Sequence, residues 1–261
     1  MGLVTRREIL FGGALSIVFG PGSGVSAQVK DRRGRLTGGR GCMLLEAYAP
    51  QFMETSNGQQ LFATGTEAVI GSSGDRDFDF ALAQTLARIA DLFDVLPGFG
   101  FYDDYESKNA YATKAVRAKN ADGTVLFGQR LLKEMLELKE SPDAAVAAVC
   151  AHEFGHILQY KRNLDRIVGA DQPTVKRVEL QADFFAGFFA GKRKLEKPDF
   201  PAAVFAVTQF NLGDTSVDPR QHHGTPEERG AAISHGFQAA YRDRNNLSQG
   251  IETSIAYVGT L

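Results

Sequence analysis

The stretch AVCAHEFGHILQY, residues 148 to 160, constrains this chain more than any other. It places His152 and His156 four positions apart, with Glu153 directly after the first. In an α-helix, residues i and i+4 lie about 40° apart and one turn along, so both imidazoles leave the same face. Imidazole nitrogen suits Zn2+ at about 2.0–2.1 Å, so the pair can hold one ion. Glu153 lies one step round the helix, close enough to reach a water on that ion without being a ligand. This H-E-x-x-H pattern supplies two ligands and a general base. The chain has only five histidines, which makes two at this spacing informative.

The surrounding residues predict the helix itself. Ser141 suits an N-cap, Pro142 the first helical position and Asp143 the positive end of the helix dipole. The helix is expected over about 142–160, with Val149, Phe154, Ile157 and Leu158 packing inward and the metal face turned to a cleft.

A catalytic zinc needs a third protein ligand and an open fourth position. The extended pattern H-E-x-x-H-x-x-G-x-x-H requires Gly at 159 and His at 162. Gln159 and Arg162 stand there and exclude it. VELQADFFAGFFAG offers another answer, with Glu179 and Asp183 at i, i+4 on one face of a second predicted helix. A bare carboxylate in so apolar a segment is expensive unless paired or ligating. Ala182, Ala186 and Ala190 with Gly187 form a close-packing stripe that implies burial. Glu179 as third ligand completes a His2Glu set. Asp183 would then accept the remaining N–H of a ligand histidine and fix its tautomer. Phe184, Phe185, Phe188 and Phe189 read as core.

The remaining organisation is α+β. The segment 77–93 carries Phe80, Leu82, Leu86, Ile89, Leu92 and Phe93 at helical spacing. GFGFYDDY, NAYATKAV and DGTVLFG read as extended. Helices are expected at 130–139, 174–192, 200–211 and 225–241, with GKRKLEK (191–197) a solvated helix end. The order is a helix, a small sheet, then a mostly helical half.

The first 27 residues read as an export signal. Arg6 and Arg7 precede an apolar run, Ile9 to Gly20, that is too short to span a bilayer, and Val25-Ser26-Ala27 offers a cleavage site. The paired arginines resemble a twin-arginine signal, with an ordinary secretory signal as the alternative. A periplasmic or secreted location is expected, with no transmembrane segment in the mature chain. Residues 28–74 form a polar lead-in, and the domain that carries the zinc motif is expected over 75–261. A net charge of −2 carries no basic field for nucleic acid. Cys42 and Cys150 are expected as separate thiols, with a disulfide as the alternative.

His152-Glu153-x-x-His156 followed by Glu179-x-x-x-Asp183 resembles the gluzincin zinc peptidases. Within them it is similar to the HtpX and CAAX-prenyl-protease type and to bacterial neutral zinc metallopeptidases. ELQAD resembles the third-ligand helix of those families, and NAYA (109–112) resembles their substrate-binding edge strand. HHGTPEERG resembles their late His-Pro…Arg element, with His223 and Arg229 six apart and Gly224 in the proline's place. The resemblance spans roughly 75–240. It implies a zincin-like fold, a Zn2+ cofactor and a polypeptide substrate held main chain to main chain at Asn109 and Ala110. It also implies an oxyanion donor at His223, with His222 the competing candidate, and a supporting Arg229 pairing with Glu179. His235 has no role in it. The competing expectations are an envelope assembly or chaperone-like factor with a zinc-stabilised site, and a peptidase held latent by residues 28–74.

Overall fold

The computed structural model describes residues 67–105, 108–212 and 223–261. The export signal, most of the lead-in, Cys42 and His222 lie outside the described residues.

Helix α1 (Arg76–Phe93) begins at Asp75, whose carboxylate accepts from the backbone N–H of Asp77 and Phe78. Leu82, Leu86, Ile89 and Phe93 form its buried stripe. Phe80 lies about 200° round from Leu82 and is 67% exposed, contrary to its expected inward position. Phe78 takes part in the core instead.

Three strands follow: β1 (Gly98–Tyr102), β2 (Ala110–Thr113) and β3 (Thr124–Gly128). They form a mixed sheet in the order β1-β3-β2. β1 pairs with β3 in parallel, Phe99 opposite Val125, and β2 pairs with it antiparallel, Tyr111 opposite Leu126. The lead-in joins through an antiparallel bridge between Ile70 and Phe101.

Helix α2 (Gln129–Leu136) leaves β3 without a cap of its own, because Gly128 has no side chain. Asp104 caps it from a distance, accepting from the N–H groups of Arg130 at 2.7 Å and Leu131 at 3.0 Å, and also from Asn109 at 3.2 Å. A Cβ on Gly128 would stand 2.1 Å from Asp104 Oδ2, so only glycine admits this carboxylate.

Helix α3 (Pro142–Arg162) carries the histidine pair. Every residue from Ala144 to Gln159 is buried. α3 thus runs through the core between the sheet and the later helices, and its histidine face has almost no direct exposure to solvent. Ser141 does not cap it: its φ of 43° and ψ of 58° are left-handed and no side-chain bond forms. An N-cap side chain needs the extended region to reach N2 or N3.

The helical half comprises α4 (Leu164–Val168), α5 (Lys176–Glu196), α6 (Ala203–Leu212), α7 (Pro226–Tyr241) and α8 (Leu247–Gly259). α7 and α8 each open with a capping box, Thr225 with Glu228 and Asn246 with Gln249. Among the described residues no helix is long and apolar enough to cross a membrane.

The α5–α7 crossing is as tight as backbones allow. A Cβ on Gly187 would lie 2.0 Å from Ile233 O, and one on Gly236 would lie 1.8 Å from Phe184 O. Gly191, expected in a solvated end, packs on α7 in the same way. Gly236→Ala is expected to lower stability by at least about 1–3 kcal/mol in urea unfolding, since overpacking here meets backbone. Gly259→Ala, whose Cβ would meet nothing within 4 Å, is the control expected to stay near wild type.

Candidate metal centre

α3 and α5 meet at Gly155, where an added Cβ would lie 3.2 Å from both Cα and O of Ala182. This contact falls between the two histidines of α3 and between Glu179 and Asp183 of α5. It brings both chemical pairs together. His152 Nε2 and His156 Nε2 are 3.1 Å apart. Glu179 Oε2 lies 3.4 Å from His152 Nε2, and Oε1 lies 3.7 Å from His156 Nε2. One donor atom from each of the three residues fits within a 4.8 Å cluster.

The outer partners decide which nitrogens carry protons. His152 Nδ1 stands 2.7 Å from Asp183 Oδ1. That carboxylate is ionised: burial pushes it up, but Arg229 and then His152 outweigh burial and lower it from its ordinary 3.8. His152 therefore donates from Nδ1, and in the neutral imidazole the lone pair lies on Nε2. His156 Nδ1 lies 2.7 Å from Gln159 Oε1. The Gln159 amide is oriented by its own donations, Nε2 to Val178 O at 2.8 Å and to Gln181 Oε1 at 2.9 Å. Its oxygen therefore faces His156, which also donates from Nδ1 and leaves Nε2 bare.

Two imidazole lone pairs and a carboxylate thus converge with no proton between them. Among the described residues neither Glu179 oxygen has a hydrogen-bond partner. Buried acceptors left so cost about 1–3 kcal/mol each, and more when charged. Burial pushes the Glu179 carboxyl up. The imidazoles of His223 and His156, with His152 beside them, outweigh this and hold it well below the usual carboxylate range. A divalent cation among these atoms would offset the burial of the carboxylate, and the N2O donor set fits one. The triad could hold a metal ion.

Arg229 reaches Asp183 with Nε at 2.7 Å and a second nitrogen at 3.0 Å. The expected pairing with Glu179 is therefore corrected to Asp183. The same guanidinium donates to Gln209 Oε1 at 2.7 Å and Leu212 O at 3.3 Å, which anchors α6 beside the site. His223 is buried, with Nδ1 3.4 Å from Glu179 Oε2. Gly224 has φ of +103°, which a proline ring cannot adopt. His235 is exposed against Tyr257.

A cavity beside the triad is lined by Lys108, Asn109 and Ala110 at the start of β2, by Leu131, Val149, His152 and Glu153, and by Gln209, Leu212 and Arg229. Glu153 and the expected substrate-binding pair thus share one cavity, while His223 stands on the ligand side. Cys150 points into the core, where burial and then the Glu153 charge push its thiol pKa up.

No family model matches this chain, and no curated protein or solved structure matches it.

Gln159, Gln181 and Gln209 escaped the sequence reading. Each is a buried amide, and the first two lie within stretches already singled out for their carboxylates and histidines.

Arg229→Met is expected to cost about 3–5 kcal/mol in urea unfolding, because it strands the Asp183 carboxylate. Asp183 has a lowered native pKa, so its stabilisation is present above the ordinary 3.8 and lost as pH falls through the lower folded value. Without Arg229 that folded value rises, so acid unfolding of the variant should begin at higher pH than in wild type.

Proposed function

We propose that this chain is a zinc-dependent endopeptidase of zincin-like architecture, exported and acting on polypeptide substrates. The observation that carries this is the convergence of three acceptors from His152, His156 and Glu179, with Glu153 lining the same cavity as His152. Two imidazoles and one carboxylate suit Zn2+ among the common divalent ions. When bound, the metal supplies Lewis acidity, lowering the pKa of water and polarising a carbonyl.

The chain's own groups do the rest. Glu153 takes a proton from the attacking water and returns it to the leaving amine nitrogen. Asp183 and Gln159 hold the two imidazoles in the ligating tautomer. His223 remains the proposed donor to the developing oxyanion. Asn109 O accepts from Gly128 N at 2.9 Å, so Asn109, Tyr111 and Thr113 turn their main-chain groups toward β3. Ala110 and Ala112 turn theirs away. Ala112 O is met by the Tyr160 hydroxyl at 3.3 Å, which leaves Ala110, in the cavity wall, as the edge position for a substrate main chain.

One observation favours a second reading, a latent peptidase: Glu153 is 0% exposed and His152 1%. Chelator-sensitive cleavage of unfolded casein tests the first reading, and a rate increase on removing residues 28–66 tests the second.

Glu153→Gln is expected to retain zinc and lose about 10²–10⁴ in rate. His152→Ala and Glu179→Ala are expected to lose the metal itself, read by elemental analysis of the purified protein. An active Glu153→Gln variant removes Glu153 as the base, and full zinc retention in both other variants refutes the ligand assignment.

A further inference from the structure

The two ligand histidines are supported in different ways. His152 leans on a charged pair, Asp183 and Arg229. His156 leans on neutral amides, and these run outward to α8, a helix that contributes nothing to the triad. Ser254 of α8 begins the run. Its hydroxyl has one proton, which it donates to Ile251 O at 2.7 Å, an atom that can only accept. The Ser254 oxygen therefore presents a lone pair to Gln181 Nε2, 3.0 Å away.

That contact orients the Gln181 amide, nitrogen toward Ser254 and oxygen toward Gln159. Gln181 Oε1 accepts from Gln159 Nε2 at 2.9 Å, which turns Gln159 Oε1 toward His156. A flipped Gln159 would present its NH2 to Nδ1 of His156. The imidazole would then carry its proton on Nε2 and could not ligate. Each link has one permitted direction, and Gln159, Gln181, Ser254 and His156 are all buried away from competing water.

α8 is itself fastened to the beginning of α5. Val258 packs against Val178 and Leu180, and Arg177 donates to Leu261 O at 2.8 Å and to Gly259 O at 3.3 Å. The docking of α8 and the direction of the amide relay are thus one arrangement.

We propose that Gln181 and Ser254 are positioning residues for His156, acting through Gln159, so that the seating of α8 on α5 sets the affinity of the site for its ion. This rests on the ligand assignment above, but not on peptidase activity.

The test is Zn2+ affinity of the full chain, by competition with a chromophoric chelator. It is accompanied by the visible spectrum of the Co2+-loaded protein and the melting temperature of the metal-free protein. Gln159→Leu is expected to raise the dissociation constant about 10–100-fold, as for other groups that orient a ligand. Gln181→Leu and Ser254→Ala are expected to raise it less, in that order, and to alter the Co2+ bands. The Gln159→Leu/Ser254→Ala double variant should bind no more weakly than Gln159→Leu alone, because both act through one link.

Ser254→Ala removes a single oxygen and keeps the test open if Gln181→Leu fails to fold. A Ser254→Ala protein that melts earlier but binds zinc as wild type overturns the proposal, and so does full additivity in the double variant. A wild type that binds zinc and cleaves nothing removes the peptidase reading alone. A wild type that binds no zinc overturns both.

Discussion

Everything at the candidate centre depends on how closely two helices approach. α3 and α5 touch at Gly155 and Ala182, where even one added carbon would crowd backbone atoms. Side chains one turn away on each helix are thereby forced into the same few ångströms. The glycine inside the histidine motif is for this reason part of what assembles the triad. An alanine there would require α5 to give by a few tenths of an ångström, moving Glu179 relative to both imidazoles without altering any residue of the triad. The glycines at the α5–α7 crossing serve the same end from behind, holding α5 against α7 so that Arg229 reaches Asp183.

Burial then does the electrostatic work. Water would satisfy bare nitrogens and carboxylate oxygens, and no such relief exists at the centre of α3. Each polar group there must be answered by another, which is why the partners extend outward to Arg229 on one side and Ser254 on the other. The two directions differ in kind. A guanidinium holds Asp183 ionised, so His152 is the more electron-rich of the two imidazoles. An amide chain carries no net charge and only selects a tautomer.

The parts legible in the sequence were those set by spacing along one element. His152, His156, Glu179 and Asp183 could be grouped because i, i+4 geometry is local. The helices containing them could be recognised from Pro142 at a first helical position, from their apolar and small-residue runs and from their length. Three features escaped that reading. The partner of Arg229 depends on which acid of α5 faces α7, and periodicity on α7 says nothing about that. Ser141 has the right chemistry for a cap, but its backbone turns left-handed before Pro142. α8 was overlooked because Gly250, Thr253 and Ser254 are poor helix formers, although Asn246 and Gln249 spell its capping box. Phe80 shows the opposite failure: an apolar residue near a stripe was assigned to it, although it lies on the far side of α1.

The Asp104 carboxylate has a reach beyond capping α2. It gathers N–H groups from Asn109 and Leu131 onto one oxygen, and both residues line the cavity beside Glu153. One side chain outside the cavity lining therefore pins the start of β2 to the start of α2, so the two pieces of wall keep a fixed spacing from each other.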